Sequence, residues 1–598
     1  MKPSVLARIA SQLSRPAAIV DAVEATQERR QVSQAEYIPP TDEFEAGVAE
    51  IWGRLLRIKR VGRADDFFLL GGQSLIATQM LSRLWERFGV ELSIDLIFTH
   101  TTVEEFSHLV RAAVAGGGKS ARLALTSVVR PAQIPLSYGQ QRLWIAHHVS
   151  SARGLFNHPL ALRLNGPLDV QSLQTAVQKL VDRHEVLRTC FTELDGTVVQ
   201  TIQHDVRADL RVEPVEILPG EDPSAALERQ ALTEAARPFD LSTDIPFRAL
   251  LIRAGQNDHL LVIVAHHIAT DGWSDHIMLG ELCHLYEGQS AQLPSVPIQY
   301  ADYAVWQRET LQGDTLRALQ AYWHRQLAGA PDVISMPTDR ERPAEPAFHG
   351  GQISFVIPAT LTQRLESFCR QQRCSIFMLL CAAFMLLIGR VTGQDDLIIG
   401  TDLANRKGRE LEGLIGFFVN VLPLRARLSD DPTFVEFLKQ VRETALGAYA
   451  HQEMPFDKIV EHVSPGRSSG HNPLVQVIFV MQNTPQASPK ITGLQIDQIS
   501  LPVRHSRFDL GVFARAVDDR LELDWQYSSE IFDPATVAGM TEEFMKLLPE
   551  IVEAPANHLS ALLPERKQGP DFDIRVGGTS REVQGQRIKV ARRRTTKV

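Results

Sequence analysis

The sequence predicts a multidomain chain in which a small all-α bundle precedes a larger α/β region. Three observations carry that expectation. At 598 residues the chain is well beyond the size at which one hydrophobic core keeps growing, so two to four domains are expected. Residues 37–115 place apolar side chains at helical spacing alone, whereas from Ile134 onward strand-like runs alternate with long helical patterns. The composition, 44% hydrophobic and 22% charged, supplies enough apolar material for sizeable cores and excludes disorder throughout.

Residues 1–36 are expected to be an extension of two short amphipathic helices split by Pro16, a candidate docking segment. Pro39 and Pro40 then punctuate the chain, Thr41 is placed to cap, and Phe44, Val48, Ile51, Trp52 and Leu55 follow at helical spacing. The next helix carries Leu75, Met80, Leu81, Leu84 and Phe88 on one stripe, and a last one is announced by a Thr101 to Glu104 capping box ahead of Val103, Phe106 and Val110. The glycine-rich stretch after Ala115 suits a hinge, and residues 116–133 are expected to be a flexible linker. Beyond it, HLLVIVAHHI (259–268) and GGQISFVI (350–357) are predicted strands, and 172–187 and 361–372 predicted helices. Two halves of similar length, roughly 134–300 and 301–565, suit one repeated architecture, although no letter-by-letter repeat is visible. Residues 566–598 end in a basic tail, a second candidate docking segment or a disordered end.

A net charge of -9 leaves no basic field for nucleic acid. No window of about 18 apolar residues suggests a membrane span. Five cysteines without CxxC pairing or metal-type spacing predict reduced thiols and a cytoplasmic protein.

Two segments carry chemistry. In DDFFLLGGQSLIATQML (65–81) an apolar loop and two glycines bring Ser74 to the start of an amphipathic helix. Unpaired backbone N–H groups and partial positive charge there favour a phosphodiester on the hydroxyl. Taken alone, GGxS reads first as a turn followed by an N-cap serine. In AHHIATDGWS (265–274) two histidines end an apolar strand and precede a helix. Successive strand side chains point to opposite faces, so His266 and His267 are not expected to share a metal. A neutral histidine there can accept an amine proton or donate to an oxyanion, and Asp271 can fix the loop. Both histidines satisfied in a core, with Asp271-Gly272 as a turn, is the other reading of the motif alone.

Over residues 37–110, from YIPPTDEFEAGVAEIW through DDFFLLGGQSL, the chain closely resembles the peptidyl carrier (thiolation) domains of nonribosomal peptide synthetases. The resemblance implies a four-helix carrier bundle whose LGGxS serine, here Ser74, bears 4'-phosphopantetheine added by a phosphopantetheinyl transferase. Residues 134–565 resemble condensation domains through PLSYGQQRLW (135–144), RHEVLRTCF (183–191), YADYAVWQ (300–307), LIGFFVNVLPLR (414–425), HQEMPFDKIVE (451–461) and HNPLVQVIF (471–479). This implies two α/β lobes, each like chloramphenicol acetyltransferase, with a tunnel between them that donor and acceptor arms enter from opposite faces. It makes the chain an acyltransferase that moves a carrier-bound aminoacyl or peptidyl thioester to an acceptor amine, on a downstream carrier or free in solution. By the same carry-over His267 faces the reaction centre beside His266, Asp271 is structural, and Arg406 in GTDLANR (400–406) pairs with it. Gly272 leaves room and offers its N–H to the oxyanion. RHEVLRT, GFFVN and MPFDKIVE look more like the subtype accepting a D-configured donor. HHVSSARG (147–154) resembles the extra motif of dual epimerising domains but runs into Leu155 where they carry Asp, so epimerisation is not expected. No segment is long enough to activate an amino acid with ATP, so loading falls to an adenylation domain upstream or in trans.

Overall fold

The computed structural model describes residues 37–72, 74–116, 125–150, 152, 154–208, 210–463, 472–482 and 490–562, with the backbone alone for Ser74, Leu75, 575–576 and 579–580. The expected docking helices of 1–36, the start of the expected linker and most of the basic tail lie outside the described residues.

Helices α1 (Glu43–Leu56), α2 (Ser74–Phe88), α3 (Leu96–Thr99) and α4 (Val103–Ala115) build the bundle. Val48, Trp52, Phe67, Met80, Leu84 and Phe106 are fully buried in it, the stripes that the 3.6-residue period presents to a common core. Two caps sit one residue later than expected. Asp42, not Thr41, accepts from the Phe44 and Glu45 amides, and Thr41 donates its N–H and hydroxyl to Glu45. The last capping box is Thr102 with Glu105, because Glu104 is drawn away to Arg63 at 2.7 Å.

The first lobe contains β1 (Ile134–Pro135), α5 (Tyr138–Val149), β2 (Asn157–Asn165), α6 (Val170–Arg183), β3 (Thr189–Leu194), β4 (Thr197–Ile202), β5 (Leu210–Pro214), α7 (Pro223–Ala236), β6 (Phe247–Arg253), β7 (Asp258–His266), α8 (Gly272–Tyr286) and α9 (Tyr300–Thr310). The second contains α10 (Gly313–Leu327), β8 (Gly350–Ile357), α11 (Ala359–Gln372), α12 (Ile376–Thr392), β9 (Asp396–Leu403), α13 (Arg409–Glu412), β10 (Asn420–Arg427), α14 (Phe434–Ala450), α15 (Phe456–Val463), β11 (Val477–Met481), β12 (Gln495–Ile499), β13 (Leu510–Val517), β14 (Arg520–Ser528) and α16 (Pro534–Glu553).

Helix α6 stops at Arg183, short of the expected 187, because His184 leaves helical geometry and its Nε2 lies 2.7 Å from Glu281 Oε2. Strand β7 likewise ends at His266, which puts His267 in the turn. The halves are also interlocked. The first-lobe sheet runs β12-β2-β7-β6-β5, so the second half supplies its edge strand, with β12 antiparallel to β2 from Gln495–Asn165 to Ile499–Ala161. The second-lobe sheet holds β10-β9-β11-β13-β14-β8 and is backed by α12, whose residues Phe377 to Gly389 are all buried. An apolar helix surrounded on every side is a core helix. Among the described residues no single helix is long and apolar enough to cross a membrane; α11 and α12 reach that length only as a pair bent by 100°.

Candidate active site between the lobes

Strand β7 is flanked by β2 and β6, and its register pairs Asn157 with His266 and His158 with Ala265. The pleat separates the two histidines. His266, fully buried, accepts the Ile268 N–H on Nδ1 at 3.1 Å, so its remaining proton sits on Nε2, which faces His147 Nδ1 at 3.3 Å. His267 donates its backbone N–H to Phe156 O at 2.8 Å. Its Nδ1 lies 3.2 Å from the Thr270 carbonyl. A carbonyl only accepts, so Nδ1 carries the proton and Nε2 keeps a lone pair. Burial, reinforced by His147 and Arg248 for His266 and by His158 and Arg507 for His267, holds both rings well below the ordinary histidine range and therefore neutral.

Asp271 is the N-cap of α8, accepting from the Ser274 amide at 2.9 Å and its hydroxyl at 2.8 Å. The same carboxylate receives Arg406 Nη2 at 3.0 and 3.2 Å and the Phe418 N–H at 3.1 Å. Both side chains are 1% exposed. Arg406 Nη1 donates to Leu411 O and Leu414 O, each at 2.6 Å, and its guanidinium stacks 4.0 Å from the Phe418 ring centroid. The pair thus ties the loop after β7 to the loop after β9, one from each lobe. Losing one partner of such a pair strands a buried charge, at about 3–5 kcal/mol.

Several of the family-like segments meet around that knot. Ser137 and Tyr300 share a 2.9 Å hydroxyl contact, and Ser274 Oγ accepts the Gly416 N–H at 3.1 Å. A Cβ on Gly416 would stand 1.9 Å from the Tyr300 ring, so only glycine lets that segment pass. Gly272, the first residue of α8, is different: a Cβ there meets nothing within 4 Å. The space beside it is open, and its amide is among the first-turn N–H groups that a helix leaves unpaired.

Beside this knot lies a cavity of about 2260 Å³ lined from both lobes by residues that include His267, Gly272, Phe417, Asp402 and Arg507. Burial pushes the Asp402 carboxyl up, against the pull of Arg507, and depresses Arg507. His158, Asp275, Asp402 and Arg507 were not singled out from the sequence, although Asp402 stands inside GTDLANR and His158 precedes Leu160, Leu162 and Leu164 at strand spacing. The HHVSSARG segment contributes His147 through its contact with His266.

Thr78 of α2 also lines the cavity. Helix α2 is held against the α13 turn by Arg83 Nη2 to Glu412 Oε2 at 2.6 Å and by Arg409 to Glu86 at 3.5 Å. Ser74 is the first residue of this 15-residue helix. Ahead of it Gly71 adopts φ +92°, and a Cβ on Gly72 would fall 2.3 Å from the Phe67 ring. A primary hydroxyl at a helix start behind a tight glycine turn fits phosphodiester attachment.

The condensation domain model matches residues 131–568, and the phosphopantetheine attachment site model matches residues 46–110. One of the linear gramicidin synthase subunits of Brevibacillus parabrevis is 40% identical over 543 residues, which is 89% of this chain and 11% of that protein. Gramicidin S synthase 2 of Brevibacillus brevis is 33% identical over 545 residues, 91% of this chain and 12% of that protein. The chain thus spans about a tenth of the length of these relatives. The crystal structure of the X-domain from teicoplanin biosynthesis superposes with a TM-score of 0.68 at 29% identity, over 74% of this chain and 99% of that one. The two interlocked lobes are the chloramphenicol acetyltransferase-like fold of condensation domains. The chain belongs to the condensation-domain family, and its condensation domain is preceded by a phosphopantetheine attachment site domain, whose cofactor is borne on a serine.

Proposed function

We propose that this chain is an amide-forming acyltransferase whose own carrier is the donor, with Ser74 the attachment point and His267 the group that takes the acceptor amine. The observation that carries the reading is that Thr78, one turn along the helix begun by Ser74, and His267 line one cavity. When bound to Ser74, 4'-phosphopantetheine supplies a thiol that carries the acyl group as a reactive thioester.

The rest falls to the chain's own side chains. His267, neutral and with its Nδ1 proton committed to Thr270, offers Nε2 to an amine N–H, orients the nitrogen, takes its proton as the new C–N bond forms, and gives that proton to the departing thiolate sulfur as the C–S bond breaks. Gly272 leaves the approach open and offers its N–H to the developing negative oxygen. Asp271 and Arg406, out of contact with solvent, hold the loop that carries His267 in register with the opposite lobe. His266 buttresses the turn through Ile268 and His147. Walls contributed by both lobes shield the acyl carbonyl from water. The partners that fit are a phosphopantetheinyl transferase, an adenylation domain upstream or in trans, and an amine on a downstream carrier or in solution. The buried, unpaired cysteines suit a reducing, cytoplasmic setting.

The test is intact-protein mass after a broad phosphopantetheinyl transferase and an acyl-coenzyme A analogue, followed by candidate amines. Wild type and His267→Ala should load, Ser74→Ala should not, and only wild type should release the acyl group rapidly as an amide, with a loss of roughly 10²–10⁴-fold in the His267 variant. Loading of Ser74→Ala removes the attachment assignment; equal unloading of wild type and His267→Ala removes the role of His267.

A further inference from the structure

On the face of β2 that carries Leu160, Leu162 and Leu164, one residue departs from the aliphatic pattern: His158. The register that pairs His158 with Ala265, and the His267 N–H bonded to Phe156 O, make His158 and His267 diagonal neighbours on one face of the sheet, within reach for ring side chains. Their ring centroids stand 4.6 Å apart with an interplanar angle of 38°. His158 also meets a carboxylate, with Nε2 2.6 Å from Asp275 Oδ2 in the first turn of α8. His158, Asp275 and His267 all line the cavity.

The charged and titratable groups around His158 come from four places: Asp275 on α8, Asp271 at its cap, the neutral His267 after β7, and Arg507 ahead of β13. Burial opposes a proton on His158, as does Arg507, but Asp275, by charge and hydrogen bond, and Asp271 outweigh them and raise its pKa. The His158 charge in turn helps to keep His267 neutral.

We propose that His158 and Asp275 form a second, proton-holding pair of the chamber, in which Asp275 anchors the His158 ring by hydrogen bond and that ring, beside the ring of His267, reserves His267 as the partner of the amine. His158 is thus a positioning residue acting through His267, and the inference rests on the reading of His267 given above.

The test is a pH titration of histidine ring NMR signals in the full-length chain, with His158 and His267 assigned from the spectra of His158→Gln and His267→Ala, alongside the pH profile of amide formation. In wild type His158 should titrate above, and His267 below, the ordinary value of 6.5. His158→Gln should move the His267 titration, and the acid limb of the rate profile, by on the order of one pH unit upward. Asp275→Asn should lower the His158 titration, a shift that a merely space-filling role would not produce. A His158 that titrates at or below 6.5 in wild type, or a His267 titration unmoved in His158→Gln, overturns the pair. The ring titrations need no turnover, so absence of transfer in wild type would count against the reading of His267 while the spectra alone decide the pair.

Discussion

The proposed attachment site in the bundle is written in five consecutive residues, Leu70 to Ser74, and needs only a glycine turn and a helix start to present a hydroxyl. The chamber around His267 is closed by Asp271 and Arg406, which lie 135 positions apart, and by lobes that exchange β12. The difference separates two kinds of vulnerability. A site made from a contiguous stretch survives damage elsewhere, whereas one assembled across lobes depends on every contact that holds the lobes in register.

Arg406→Ala is the severest way to test that contrast. It strands the Asp271 carboxylate and should lower the stability of the condensation domain by about 3–5 kcal/mol and abolish transfer, while Ser74 still accepts its cofactor by intact mass. Loss of both functions together would show that bundle and lobes fold as one unit.

Gly72→Ala attacks the other side of the comparison. The added methyl meets the Phe67 ring at 2.3 Å and its carbonyl at 2.6 Å, and the expected cost is about 1–3 kcal/mol in the bundle's melting transition, with impaired loading. Gly272→Ala, with nothing within 4 Å, should leave the melting temperature unchanged, so any loss of transfer in it reports a clash with substrate.

Acid should separate the regions next. His266 and His267 are held neutral, with pKa values well below 6.5, so below about pH 6.5 the unfolded chain binds more protons than the folded one and the condensation domain loses stability as pH falls; above that pH this contribution is fully present. His158, with its raised pKa, works in the opposite sense. Thermal denaturation from about pH 7.5 to about pH 5 should show the domain's transition falling, and replacing His266 with Gln should flatten the slope. The smallest effect belongs to the join between the regions: Arg83→Glu, facing Glu412 across a 2.6 Å ion pair, should slow transfer several-fold, about 1 kcal/mol, and added salt should slow wild type in the same direction.

Much of this was legible residue by residue. The stripes of Val48, Trp52, Met80 and Leu84 named the bundle core, and the period of two put His266 and His267 on different faces of the strand. Caps were legible only to within a residue, because Thr41 and Asp42, or Glu104 and Glu105, compete for the same amides and a distant group such as Arg63 decides between them. Arg406 entered through family resemblance, since no local spacing links it to Asp271. His158 was not legible, because its meaning comes from Asp275, 117 positions away.

By itself the sequence determined the local devices on which the two proposed chemistries rest: a serine at a helix start behind two glycines, and a histidine at a strand end followed by a capping aspartate. These follow from hydrogen bonding and side-chain periodicity over a few residues. Only the tertiary structure decided which nitrogen of His267 is left free, that His266 turns to His147, and that a carboxylate-paired histidine stands beside the reactive ring. Those outcomes depend on burial and on charges brought together from segments more than a hundred residues apart, where desolvation and Coulomb interactions are strong and local spacing says nothing.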